Sequence, residues 1–409
     1  MNSRIKKIGL IVIFAASVIA IGTAIYFLFF KDGGVSPKLS DDPISIEGST
    51  TGLPPTPSGS PQTIDDTTEG TGQLSEADEV AQGSVTQTTT LTTGPVFETV
   101  IGADGSSVQF YDRNDGRFYK IDENGNIVKL SEKQFPNLEE ATWNKDSEKA
   151  VLEFPDGSNI VYNFENETQT TLPKHWEDFD FSPVGNEIVA KSLTIDPENR
   201  WLVTSNDTGS NVTPFQALGA NADKVDVNWS PNDQVVAFAD TGGASGSFDR
   251  KIIIPVGKNK ENFQGLTVEG FGFESSWSPN GRTLLYSVSG DYSSNKPLLW
   301  RVDATASTMG KNRESLGLNT WVEKCAWASE DVIYCAVPNN LPDNAGLQKS
   351  LYNTLSDSLY QINLSSGAKS LIAIPEIDKT MTNLSLSEDG RLLYYTEQNS
   401  GKLELIKLK

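Results

Sequence analysis

The chain has 409 residues, with 54 acidic against 33 basic side chains and a formal net charge of −21. This acidity argues against binding to nucleic acid and against adhesion to anionic lipid, and it favours solubility or a basic partner. Two cysteines and a single histidine cannot by themselves build a zinc site, so neither a metal nor another cofactor is expected.

The first predicted element is a membrane helix over residues 8–30, a stretch without any charged side chain. At about 1.5 Å per residue it is long enough to cross a hydrocarbon core of about 30 Å. Arg4, Lys6 and Lys7 precede it, so the positive-inside rule places residues 1–7 in the cytoplasm. A cleaved signal peptide is the alternative, although its apolar region is normally only about 7–15 residues long. We expect a single-pass anchor in the cell membrane, with the rest of the chain extracytoplasmic.

Residues 31–83 are predicted to form a disordered linker. They are rich in Ser, Thr, Pro, Gly and acidic side chains, and they contain few large apolar residues. A segment of this composition cannot bury enough apolar surface to offset the entropy lost on ordering. The linker would hold the following region near the membrane while leaving it mobile.

From residue 84 onwards the chain repeats one short motif, clearest in Trp277–Gly281 (Trp-Ser-Pro-Asn-Gly). Proline presets the turn and glycine accepts the left-handed conformation that closes it, so each copy predicts a β-hairpin. Spacings of 38 to 59 residues between copies are close to the roughly 40–50 residues of a four-stranded propeller blade. We therefore predict an all-β fold, a seven-bladed β-propeller, over residues 84–409. The seven copies begin at Ile101, Trp143, Phe181, Trp229, Trp277, Trp327 and Leu386.

The two ends of this region predict how the ring closes. The seventh repeat stops at Lys409 after its third strand, which leaves one outer strand missing. Residues 86–91 (Thr-Gln-Thr-Thr-Thr-Leu) are similar to the outer-strand run 168–172 (Thr-Gln-Thr-Thr-Leu). We predict that this N-terminal run supplies the missing strand, because closure removes two exposed sheet edges. An open array of hairpins, or two sandwiches, is the alternative.

These repeats resemble the TolB-like, WD-repeat-like β-propeller repeats of bacterial extracytoplasmic proteins. Trp229–Asp233 and Trp277–Gly281 match the family pattern W-S-P-D/N-G best, and the resemblance covers roughly residues 85–409. It implies a propeller in the cell envelope. Propellers of this kind serve as binding platforms, subunits and enzyme gates, so the resemblance is specific for fold rather than function. The best-known member carries a small α/β domain before its propeller, and nothing similar precedes residue 84 here.

A candidate binding site follows from the third residue before each motif copy, which is acidic in five of the seven blades. Because strand side chains alternate, these residues lie opposite the motif aromatics, and propeller symmetry arranges them in a ring around the axis. The ring would give one end of the central channel a negative potential suited to a basic peptide, an ammonium group or a divalent cation. A solvated polar rim is the alternative. The seven positions are Glu98, Glu140, Asp178, Asp226, Glu274, Lys324 and Asn383.

Cys325 and Cys335 lie on either side of the predicted turn of one hairpin, where they can face each other across two strands. In an oxidising compartment this arrangement predicts a disulfide bond that staples a single blade. Two buried free thiols are the alternative, because cysteine also packs as a small apolar residue.

No nucleophile elbow, Walker loop, dinucleotide fingerprint or metal-binding histidine cluster occurs, so no catalytic residue is assigned. The sequence favours a membrane-anchored, extracytoplasmic binding platform for an envelope protein or a basic peptide. A carbohydrate-active or other cell-surface enzyme that uses the channel carboxylates is one alternative. A structural cell-surface component is another. The sequence determines neither the partner nor the oligomeric state.

Overall fold

The computed structural model describes residues 77–243, 250–352 and 354–409. Every described residue belongs to the compact unit Thr71–Lys409. The predicted cytoplasmic tail, the membrane helix over 8–30 and most of the linker lie outside the described residues. Among the helices of the described ranges, none is both long and apolar enough to cross a membrane.

The described residues form seven sheets, and in each sheet the chain runs from an innermost strand outwards through antiparallel neighbours. Two short strands, β1 (Ser84–Thr86) and β2 (Thr89–Thr90), precede the first blade. Blade 1 contains β3 (Val96–Ile101), β4 (Val108–Asp112), β5 (Arg117–Ile121) and β6 (Ile127–Lys129). Blade 2 contains β7 (Glu140–Trp143), β8 (Lys149–Glu153), β9 (Asn159–Asn163) and β10 (Thr168–Leu172). Blade 3 contains β11 (Trp176–Phe181), β12 (Glu187–Ser192), β13 (Trp201–Asn206) and β14 (Thr213–Ala217).

The remaining four blades follow the same order. Blade 4 contains β15 (Val225–Val227), β16 (Ala237–Ala239), β17 (Arg250–Val256) and β18 (Leu266–Glu269). Blade 5 contains β19 (Phe271–Trp277), β20 (Thr283–Ser289), β21 (Pro297–Asp303) and β22 (Glu314–Ser315). Blade 6 contains β23 (Cys325–Trp327), β24 (Val332–Pro338), β25 (Asp357–Asn363) and β26 (Lys369–Pro375). Blade 7 contains β27 (Met381–Leu386), β28 (Leu392–Glu397) and β29 (Leu403–Lys407).

The helical segments of the described residues are short and lie in connecting loops. Five are 3-10 helices, Pro197–Asn199, Gly219–Lys224, Asp291–Ser293, Val322–Lys324 and Ala345–Gln348. One is an α-helix, Lys349–Tyr352, in the long loop between β24 and β25. The predicted all-β, seven-bladed propeller with four-stranded blades is therefore confirmed.

The ring closes through the N-terminal segment, as predicted. Strand β2 pairs antiparallel with β29 and completes blade 7, and the Leu91 N–H donates to the Leu403 carbonyl at 2.8 Å. The predicted strand over 86–91 is shorter in the structure, because Ser84–Thr86 forms the separate strand β1. Strand β1 pairs parallel with β26, so blade 6 has a fifth strand that the sequence did not predict. The N-terminal segment thus spans the outer edges of two blades.

The core consists of apolar clusters between neighbouring blades. The motif aromatic of one blade packs against the blade before it, as Trp277 does against Phe238, with ring centroids 5.4 Å apart. Two of the motif indoles also donate hydrogen bonds to backbone carbonyls of the preceding blade, whereas the indole of Trp229 donates to Asp233 in its own turn. Trp143 Nε1 donates to the Glu98 carbonyl at 3.3 Å, and Trp277 Nε1 donates to the Asn228 carbonyl at 3.3 Å. The repeated motif therefore forms a hairpin and also joins that hairpin to the preceding blade.

Closure by β2 predicts a stability effect at Leu91. Proline at this position removes the N–H donor and leaves the Leu403 carbonyl without its partner, so L91P should lower the free energy of unfolding by about 1–3 kcal/mol. L91I keeps both the donor and the side-chain volume and is the matched control. Thermal unfolding of the full chain, followed by tryptophan fluorescence, measures the difference. Equal Tm values for the two variants would show that this strand contributes nothing to closure.

Candidate functional site

The five predicted acidic residues lie on the innermost strands of blades 1 to 5. Four of them are close enough for their charges to interact around the ring. Burial is the largest cause of the raised pKa values of Glu98, Glu140 and Asp226, and a neighbouring carboxylate is the second: Glu140 for Glu98, and Asp178 for the other two. The structure thus brings together the acidic residues of blades 1 to 4. The fifth, Glu274, belongs to a separate group of charges in blades 5 and 6.

The free edge of the innermost strand accounts for part of this acidity. Each innermost strand has a neighbouring strand on one side only, so the N–H groups on its other edge need acceptors. In blade 3, Asp178 accepts from the Val227 N–H at 3.4 Å and Asp180 accepts from the Trp229 N–H at 2.6 Å. Both donors belong to blade 4, so these carboxylates connect the inner strands of adjacent blades.

Three of the seven predicted positions are shaped by β-bulges rather than by regular strand alternation. Glu98 and Asp178 have left-handed backbones, with φ of 50° and 57°, where the register of the inner hairpin shifts. Asn383 of blade 7 has the same conformation, with φ of 50°. A bulge re-aims the side chain that it carries. Unbroken alternation along the strands does not predict these bulges.

Asp178 and Glu274 have basic partners. Lys191 forms an ion pair with Asp178. Lys349, at the start of the α-helix between β24 and β25, places its Nζ 2.6 and 2.7 Å from the two carboxylate oxygens of Glu274 and also pairs with Glu323. Glu274, one of the predicted ligand-binding residues, is therefore ion-paired with a lysine that it shares with Glu323.

The sixth position of the ring carries a buried ion pair. Lys324 and Asp357 both have fully buried side chains, with the Lys324 Nζ 2.7 Å from Asp357 Oδ2. Asp357 also accepts the Met381 N–H of blade 7 at 2.8 Å. Burial lowers the pKa of Lys324 and raises that of Asp357 to about 6, while their mutual attraction opposes both shifts. This pair joins blades 6 and 7 and is closed to a ligand.

Glu153 is an additional acidic residue that the sequence analysis missed. It lies directly opposite Glu140 on the neighbouring strand of blade 2. Burial, followed by the charges of Glu140 and Asp178, raises the pKa of Glu153 to about 8. Its Oε1 atom is buried and has no hydrogen-bond partner within the described ranges. The hairpin register, which pairs Trp143 with Ala150, was the signal that could have placed Glu153 opposite Glu140.

The carboxyls without ion-pair partners have raised pKa values, chiefly because protein surrounds them. Burial is the largest cause at Glu98, whose pKa rises to about 8, and at Asp226, whose pKa rises to about 6. Solvent still reaches the side chains of Glu140 and Asp226, which are exposed in the channel. Water therefore reaches these two groups, while the neighbouring protein and charges still disfavour their ionisation. The ionised forms of these carboxyls are therefore incompletely compensated by the surrounding protein.

A cavity of about 450 Å³ lies between blades 2 and 3. Its lining includes Glu140, Glu153, Trp176, Glu177 and Asp178. Within the ranges that the structure covers, no group of three or more His, Cys, Asp or Glu side chains is arranged to hold a metal ion.

The two cysteines lie outside this mouth region, in the inner hairpin of blade 6. Cys325 and Cys335 are directly opposite each other on β23 and β24, and their Sγ atoms are 2.15 Å apart in a disulfide bond. The bond links the strand that follows Lys324 to its neighbour within one blade. This disulfide bond has a structural role, because Cys335 is fully buried.

Comparison with known proteins shows the fold. No protein-family model matches the chain, and no curated protein matches it. An oligogalacturonate lyase in complex with manganese aligns with a TM-score of 0.55 at 14% identity, over 79% of this chain and 93% of the lyase. The β-propeller domain of Cps50 (Swd1) from Myceliophteria thermophila aligns with a TM-score of 0.53 at 12% identity, over 79% and 100% of the two chains. A chain of a mitotic checkpoint complex gives a TM-score of 0.52 at 13% identity, over 85% and 98%. At these identities the similarity shows a propeller fold and gives no information about activity.

The raised pKa of Glu153 predicts a pH-dependent stability. The pKa is about 8 in the folded protein against a usual value of 4.5, so its stabilising contribution is fully present below about 4.5 and is lost as the pH rises through 8. Glu153→Gln should therefore raise the Tm at pH 8.5 relative to the parent chain, with no such gain at pH 4.5. Glu165→Gln, at an exposed turn of the same blade, is the control and should change neither value. A Tm gain of equal size at both pH values would contradict the assigned pKa.

The buried pair of blade 6 predicts a second stability effect. Asp357→Asn leaves the Lys324 ammonium buried without a counter-charge, which should lower the free energy of unfolding by about 3–5 kcal/mol. The double variant K324M/D357N removes both charges and keeps an acceptor for the Met381 N–H, so it should recover most of that loss. Denaturant unfolding of the three proteins measures both differences. If the double variant were no more stable than D357N, the loss would not arise from the unpaired charge.

Proposed function

We propose that this chain is a membrane-anchored, extracytoplasmic β-propeller that binds a basic segment of an envelope protein at its acidic channel mouth. One observation carries the proposal. The carboxyls of Glu98, Glu140, Glu153 and Asp226 gather at one face, and none forms an ion pair with a lysine or arginine of the described residues. Their raised pKa values mean that each ionised form lacks full compensation, which an incoming cation would supply.

The charges around the ring limit where the basic segment would bind. Lys191 pairs with Asp178 in blade 3, Lys349 pairs with Glu274 in blade 5, and Lys324 pairs with Asp357 in blade 6. The four carboxyls named above therefore belong to blades 1, 2 and 4. A cationic ligand would approach this sector, and the field of an acidic protein would raise its association rate at low salt.

The location of this function rests on the sequence. The uncharged stretch over residues 8–30 and the basic residues before it support a membrane anchor with the propeller on the extracytoplasmic side. The TolB-like resemblance of the repeats supports the same compartment. A partner in the cell envelope follows from these two arguments together.

A carbohydrate-active surface enzyme is the second candidate, and the Glu140–Glu153 pair favours it. Two carboxyls opposite each other in one cavity have the residue types needed for general acid and base catalysis. Catalysis and binding predict different mutational patterns. In an enzyme, one or two carboxyls should dominate the effect, whereas a binding surface should weaken by similar steps as each charge is removed.

The binding proposal predicts graded losses of affinity for a simple polycation. Fluorescein-labelled hexalysine should bind the full chain, and E98Q, E140Q, E153Q and D226N should each weaken binding by about two- to fivefold. The affinity of the parent chain should increase between pH 6 and pH 8.5, because protons compete with the peptide for these carboxyls. Fluorescence anisotropy measures both effects at fixed ionic strength.

The matched control for this series is E165Q/E167Q, which removes two exposed carboxylates from the outer turn of blade 2. It should bind hexalysine like the parent chain. If a variant that carries all four substitutions, E98Q, E140Q, E153Q and D226N, also bound hexalysine like the parent chain, the acidic mouth would not be the binding site. A loss concentrated in E140Q and E153Q, accompanied by hydrolysis of a glycan substrate, would favour the enzyme.

A further inference from the structure

The acidic cavity between blades 2 and 3 borders an apolar surface. A shallow pocket of about 450 Å³ is lined by Pro136, Phe154 and Pro155 together with short polar side chains. Phe154 and Pro155 also line the acidic cavity, so the apolar and acidic pockets share one wall. Pro136 and Pro155 are exposed and Phe154 is half-buried. We call these three residues the apolar shelf.

Among the described residues, no lysine or arginine pairs with Glu140 or Glu153 in the cavity, whereas Asp178 is paired with Lys191. Glu140 and Glu153 face each other across two strands, an arrangement that is unfavourable when both are ionised. Lys174 is the only basic side chain among the described lining residues, and its Nζ lies 3.3 Å from Asp156 Oδ2 at an exposed position. Lys174 therefore lies at the rim and leaves the Oε1 atom of Glu153 without a partner.

We propose that this cavity binds one basic side chain of an extended partner segment, with the ammonium or guanidinium group between Glu140 and Glu153, while an apolar side chain of the same segment rests on the apolar shelf. The inference rests on the proposed function and specifies its ligand. In an extended chain, residues two apart point to the same side and lie about 6.5–7 Å apart. Because the two pockets share a wall, the preferred sequence is a basic residue and an apolar residue separated by one other.

Charge and surface chemistry together select this occupant. A polyamine or a bare basic tract would satisfy the carboxyls but would leave the apolar shelf in water. An apolar peptide would leave Glu140 and Glu153 uncompensated. Only a segment that combines both side chains in an extended conformation fills both pockets, and an alternating pattern is typical of strands or loops in folded proteins. Such a ligand is more specific than a polycation attracted by net charge.

The test uses random heptapeptides displayed on phage and selected on the immobilised full chain. The expected result is enrichment of basic–any–apolar peptides, and the best peptide, labelled with fluorescein, should bind at least about tenfold more weakly to E140Q/E153Q. Pro155 is exposed, so Pro155→Ser should preserve folding. This substitution should weaken the binding of the selected peptide, but not the binding of its analogue that carries serine in place of the apolar residue. E165Q/E167Q is the control with the same loss of charge in the same blade, and it should bind like the parent chain.

Three results would overturn the inference in distinguishable ways. Selected basic peptides that bind E140Q/E153Q normally but lose affinity in E98Q/D226N would reject this cavity and retain the acidic mouth. Failure to select any basic peptide, together with no binding of hexalysine, would reject both proposals. Concentration-dependent self-association of the chain in sedimentation, abolished by E140Q/E153Q, would identify a second copy rather than a partner peptide as the occupant.

Discussion

The fold depends on how the innermost strands satisfy their free edges. A propeller blade pairs its inner strand on one side only, and the other edge would present unpaired N–H groups around the axis. Here the neighbouring blades supply acceptors, as Asp180 does for the Trp229 N–H and Asp357 does for the Met381 N–H. Carboxylates are suitable for this purpose because ionised acceptors form strong hydrogen bonds. An acidic channel mouth is therefore partly a consequence of building the ring.

This structural use of carboxylates separates the ring into two sectors. In blades 5 and 6 the acidic groups have lysine partners, and the Lys324–Asp357 pair is fully buried. In blades 1, 2 and 4 the carboxyls of Glu98, Glu153 and Asp226 have no such partner, and their pKa values rise. Sevenfold repetition thus produces a site without sevenfold symmetry. A ligand of limited size would recognise one sector rather than the channel as a whole.

The features that recur from blade to blade could be predicted from the sequence, whereas the features confined to one blade could not. Turn residues and spacing predicted seven hairpins, and the run over 86–91 predicted closure, because both follow from local patterns. The bulge at Asp178 was not predictable by alternation, since it depends on packing between blades. Lys349 reaches Glu274 across 75 residues of sequence, a contact that only the folded loop creates. The parallel strand β1 was missed for the same reason, because its pairing with β26 is not local.

The closing strand also affects the order of events during synthesis. Thr90 and Glu404, which face each other in blade 7, are 314 positions apart in the chain. At about 5–20 residues per second, the N-terminal segment would emerge about 15–60 s before its partner exists. During that interval it must remain extended and must not pair with other chains. Its sequence, Ser-Val-Thr-Gln-Thr-Thr-Thr over residues 84–90, has β propensity but only one apolar side chain. A strand of this composition can remain solvated and unpaired, and it can still pair with β29 once β29 has been synthesised.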